Sequence, residues 1–138
     1  MLHRVRRVAP LSVVLSLAVF LSSCSTGPSS LILGKWERYE IQGTKPLFFY
    51  PAAIEFFTDG TMSMAGEIGG LSDPPPPLNA LNVVGMFRFV DDKHLRIDPS
   101  GASAMLLGSF VVEVTVSRDQ LVLTFPQGEI AKYRRTTE

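Results

Sequence analysis

The chain has 138 residues, a length suited to one domain, and its 13 basic and 13 acidic residues balance to a formal net charge of zero. Its single cysteine, Cys24, excludes an intrachain disulfide. Arg4, Arg6 and Arg7 crowd the N-terminus, so the chain beyond residue 23 keeps ten basic against 13 acidic residues, a charge of −3. Without a basic stripe to neutralise phosphates, a nucleic-acid partner is not expected.

Residues 1–23 read as an export signal. The arginines form a basic start, and Val8 to Leu21 is the only long apolar run. As a helix its 14 residues would reach only ~21 Å, against the ~30 Å hydrocarbon core of a bilayer. A basic head, a short apolar stretch and small residues at its end are the parts of a cleavable signal rather than of a membrane span. The following Leu21-Ser22-Ser23-Cys24 resembles the lipobox of bacterial lipoproteins: an aliphatic residue, two small ones, then cysteine. That resemblance implies a diacylglyceryl thioether on Cys24, cleavage before it and acylation of the new N-terminus. Two or more acyl chains hold a protein to a membrane stably where one does not. Residues 24–30 then form the lipidated cysteine and a polar tether, in which Ser25 to Ser30 span at most ~20 Å. By the sorting rule of that family, Ser25 favours the outer membrane, facing the periplasm, in a two-membrane bacterium. In a one-membrane organism the protein would sit on the outer face of the cell membrane.

From residue 31 to 138 the pattern has period two, that of strands. Lys35 to Ile41 leads. Ala53 to Phe57 places Ile54 and Phe56 on one face, and Thr58-Asp59-Gly60-Thr61 is a hairpin turn before Thr61 to Ala65. Gly85 to Val90, the turn Asp91-Asp92-Lys93 and His94 to Asp98 form a second hairpin. Phe110 to Val116 turns through Ser117 to Gln120 into Leu121 to Phe125, and Pro126-Gln127-Gly128 leads into Glu129 to Arg135. About eight short strands joined mainly by tight turns, with no persistent helical spacing, predict an all-β, up-and-down antiparallel barrel, because closure removes the edges. Two loops interrupt the rhythm. Gly66 to Asn82 contains Asp73-Pro74-Pro75-Pro76-Pro77, a stiff polyproline stretch that cannot be a central strand. Pro99 to Gly108 ends in Met105-Leu106-Leu107, which could plug one barrel end or line a cavity entrance.

Gly34-Lys35-Trp36, Ile54 to Thr61, Gly85 to Phe89 before Leu95, Leu121 to Thr124 and Tyr133-Arg134-Arg135 together resemble the small bacterial lipocalin-like domains of exported lipoproteins. The resemblance spans roughly Leu31 to Arg135. It implies that Trp36 sits at the closed barrel end under an arginine of the last strand, Arg134 or Arg135. It also places Pro46-Leu47-Phe48-Phe49-Tyr50-Pro51 in the loop over the open end. There Leu47, Phe48, Phe49 and Tyr50 would either contact a ligand, a partner or lipid, or fold inward as a cap.

No enzyme is expected. After residue 23 the only histidine is His94, beside a turn, and no nucleophile–base pair, metal-ligand set or phosphate-cradling loop accompanies it. No cofactor follows from these residues. Three functions remain: a lipid-anchored interaction module with an envelope-protein partner, a carrier of a small apolar molecule or lipid, and an inhibitor of an envelope hydrolase acting through the proline loop. The inward candidates Trp36, Phe56, Met62, Met64, Phe87, Phe89, Phe110 and Phe125 are bulky enough to favour a packed interior. A carrier would need an apolar pocket of at least ~300 Å³.

Overall fold

The computed structural model of the chain describes residues 27–43, 49–68 and 80–137, and gives only the backbone at positions 50, 67, 68 and 80. The signal segment, Cys24, the polyproline stretch, Leu47 and Phe48 lie outside the described residues. Eight strands follow one another in sequence: β1 (Gly34–Gln42), β2 (Phe49–Phe56), β3 (Thr61–Ile68), β4 (Ala80–Asp91), β5 (His94–Pro99), β6 (Phe110–Val116), β7 (Gln120–Thr124) and β8 (Ile130–Arg135). Each pairs antiparallel with the next, and β8 returns to β1, closing the expected barrel.

The turns are built as the sequence predicts. At Asp59 the carboxylate accepts the Thr61 amide at 2.9 Å and the Thr61 hydroxyl at 2.6 Å, holding the β2–β3 hairpin. At the β4–β5 hairpin Asp91 accepts the Lys93 amide at 2.8 Å and faces His94 Nδ1, also at 2.8 Å. One close approach fixes β4 against β5. Gly85 pairs with Pro99, and a Cβ at Gly85 would stand 2.5 Å from the Asp98 carbonyl oxygen, so no side chain fits there.

Four carboxyls, two exposed and two half-buried, are held below their ordinary values of 3.8 for Asp and 4.5 for Glu: Asp59 by the Thr61 hydroxyl and amide, Asp91 by the Lys93 amide and then His94, Asp98 by Ser109 and then Arg96, and Glu40 by Gln42 and then Lys132. Their folded values lie below their unfolded ones, so the stability they contribute is present above the ordinary values and lost as pH falls through the folded ones. A denaturation midpoint that is flat from pH 7 to about 5 and drops below about pH 4 is therefore expected. A midpoint unchanged down to pH 3 would contradict these contacts.

The structure corrects the sequence reading at four places. Pro28–Leu31 is a helical turn, α1, so the last residues assigned to the tether are folded. Ala102–Leu107 is a second short helix, α2, where a loop was expected. Phe49, Tyr50 and Pro51 already belong to β2 rather than to the loop over the open end; Pro51 sits where the register shifts, a bulge that tolerates its missing amide. The long loop after β3 is shorter than Gly66 to Asn82, because β3 runs to Ile68 and β4 starts at Ala80.

The two barrel ends differ. One carries the tight turns after β2, β4 and β6 together with α1; the other carries the connections after β1, β3, β5 and β7, including α2. At the first end Trp36 is fully buried and its indole N–H donates to the Ile32 carbonyl at 2.7 Å. Arg135 covers the indole at 4.2 Å from its centroid. Its guanidinium also donates to the carbonyls of Leu31 and Leu33 at 2.5 Å and of Arg118 at 2.7 Å. Gly34, at φ +111°, lets that guanidinium pass: a Cβ there would lie 2.8 Å from Nη1. Arg134 points outward and lies over Tyr39, 4.6 Å from its ring centroid. This end is closed.

Candidate functional site at the open end

Inward side chains fill the barrel from the closed end upward. Ile54, Met62, Met64, Val83, Leu95, Ile97, Val112, Val114, Leu121 and Leu123 are all buried. Phe56 meets Phe87 edge to face, with ring centroids 4.9 Å apart. The filling stops short of the other end. There Phe49, Pro51, Leu107, Phe110, Phe125 and Pro126, with Gln127, line an open, mainly apolar pocket of about 190 Å³. Phe110 and Phe125 tilt against each other at 6.5 Å and leave space beside them rather than joining the Phe56–Phe87 pair.

Each lining residue arrives by a local rule. Phe49 and Pro51 are alternate inward residues of β2 ahead of its bulge. Phe110 begins the inward row of β6, and Phe125 follows the row Leu121–Leu123 of β7. Leu107 ends α2. Of the three residues read as a plug, it alone packs against the core: Met105 is 91% exposed and Leu106 55%.

Three polar side chains also point inward near this end. Arg38 and Tyr133 are paired across β1 and β8, and both donate to the carbonyl of buried Pro51, the hydroxyl at 2.9 Å and the guanidinium at 3.3 Å. Burial raises the Tyr133 hydroxyl above its ordinary 10.0, with Arg38 opposing in smaller measure, so it stays protonated and donates. The third is Glu129, just before β8. It is 2% exposed, and among the described residues neither carboxylate oxygen has a hydrogen-bond partner.

Of the residues singled out from sequence, Phe49 is at this pocket, Tyr50 lies in β2 opposite Glu67, and Leu47 and Phe48 fall outside the described residues, as does Cys24. Trp36 and Arg135 meet at the closed end, away from it. Pro51, which closes the stretch singled out over the open end, lines the pocket; the sequence reading missed Pro126, Gln127, Arg38 and Glu129. Counting back in twos from Tyr133 through Ala131 puts Glu129 on the inward face, a signal that was available. His94, half-exposed and paired with Asp91, is at the closed end, and among the described residues no cluster of three or more metal-ligating side chains occurs.

No protein-family model and no curated protein matches the chain. Among solved structures, the crystal structure of a point mutant of the fluorescent protein UnaG is similar, with 15% identity and a TM-score of 0.39, covering 79% of this chain and 99% of that one. The barrel itself stands on its own strand pairing.

Proposed function

We propose that this protein is an exported lipoprotein of the bacterial cell envelope, anchored through Cys24, whose barrel is a non-enzymatic module that binds a small apolar group at its open end. The lipobox-like Leu21-Ser22-Ser23-Cys24 supports the anchor. The observation that carries the binding reading is the apolar pocket ringed by Phe49, Phe110 and Phe125 above an otherwise filled interior. Its volume of about 190 Å³ falls below the ~300 Å³ at which pockets for whole drug-sized ligands begin. The bound group is therefore small: a short alkyl chain, one ring, or an apolar side chain of an envelope partner.

Titrating the lipidated chain in nanodiscs with hexanol, followed by methyl NMR, tests the binding reading. Saturable shifts concentrated at the Leu107 methyls, with a Kd of about millimolar or tighter, are expected for so small a ligand. Shifts spread evenly over the barrel, or none at these methyls, would defeat it.

A further inference from the structure

Glu129 is out of place in an apolar barrel end. It follows the Pro126-Gln127-Gly128 turn, of which Pro126 and Gln127 form part of the pocket wall, and its backbone carbonyl accepts the Phe125 amide at 2.8 Å. Its parity along β8 is that of Ala131 and Tyr133, both buried inside. Gly43 opposite has no side chain, and the Glu129 side chain lies across that gap: its Cγ is 2.9 Å from where a Gly43 Cβ would stand. The carboxylate is thus enclosed beside Phe125, behind the pocket lining rather than in it, and among the described residues both oxygens are unpartnered. Arg38, the other inward charge, is engaged with the Pro51 carbonyl and makes no ion pair with Glu129.

An unpaired buried carboxylate is among the costliest arrangements in a folded protein, whereas a donor brought to it forms a short, charge-assisted bond. The geometry points to a ligand with a protonated amine: Glu129 holds the ammonium, and the apolar tail of the ligand enters the pocket between Phe110 and Phe125. This assignment rests on the pocket being a binding site and adds the chemistry of the head group. An acceptor-only head, such as a carboxylate, would meet Glu129 as a like charge and be refused.

Hexylamine, hexanol and hexanoate share one tail and differ at the head, so they separate the two readings. On the lipidated chain in nanodiscs, with free probe measured, hexylamine should bind at least tenfold more tightly than hexanol, and hexanoate more weakly than either. In Glu129→Gln, which keeps shape and loses charge, the amine-to-alcohol preference should fall to within about twofold. Equal affinity of hexylamine and hexanol for the natural chain overturns the assignment while leaving the pocket in place. A preference that survives in Glu129→Gln also overturns it. Failure of all three probes to shift the Leu107 methyls removes the pocket and this assignment together. The natural-chain comparison stands even if the variant folds poorly.

Discussion

Trp36→Ala is expected to lower the stability of the barrel by about 3–5 kcal/mol, the range for removing a large buried aromatic. The indole is fully buried, so its loss leaves a void that the surrounding strands, fixed by β1–β2 and β1–β8 pairing, cannot collapse into. Two further losses add to it. The Ile32 carbonyl is left without the indole N–H that satisfies it at 2.7 Å, and Arg135 loses the ring it covers. Against a total stability of roughly 5–15 kcal/mol, this is enough to leave the domain partly unfolded at ambient temperature. Arg135→Lys should also destabilise, by about 1–2 kcal/mol, because a lysine cannot reach three carbonyls and lie flat on the indole at once. Denaturant midpoints of both variants and of the pair measure this. A loss below about 1 kcal/mol for Trp36→Ala, or full additivity in the double variant, would show that the two residues do not act as one closure.

Cys24→Ser is expected to abolish incorporation of labelled palmitate and to release the protein from the membrane fraction. The effect should be all or none, because the oxygen of serine does not replace the thiolate that accepts the diacylglyceryl group. Stable attachment needs two or more chains, so losing the thioether, and with it the acylation that follows, removes the lipid anchor. Fractionation of cells making each form, with the labelled protein recovered from both fractions, settles the matter. A serine variant that still sediments with membranes and carries lipid would end the lipoprotein reading.

The barrel was legible because its signals are local. Asp59-Gly60 and Asp91-Asp92-Lys93 mark turns by side-chain chemistry, and alternation at Phe110–Val116 marks a half-buried strand without ambiguity. The helices were not. At four residues α1 is too short to show a period, and the six of α2 begin without a side-chain cap. Pro51 misled for another reason: proline reads as a break, and only the bulge after it shows why a strand accepts it. The choice between Arg134 and Arg135 needed the register of β8 on β1, where Trp36 faces Arg135 and Glu37 faces Arg134. The pocket was illegible in a deeper sense. Period two shows that Phe49, Phe110 and Phe125 point inward, but not that their rings stop short of one another.

In the lipoprotein proposed above, the helical turn Pro28–Leu31 would also set how the barrel stands on a membrane. With the chain folded from Pro28, only Ser25, Thr26 and Gly27 separate the lipid-bearing position from the barrel, a leash of about 14 Å at full stretch. That leash leaves from the closed end, beside Trp36 and Arg135. Anchored at Cys24 as proposed, the barrel would stand on its hairpins with its mouth turned away from the bilayer. Whatever enters between Phe110 and Phe125 would then come from the aqueous side or from a facing partner, and not from the leaflet that holds the anchor.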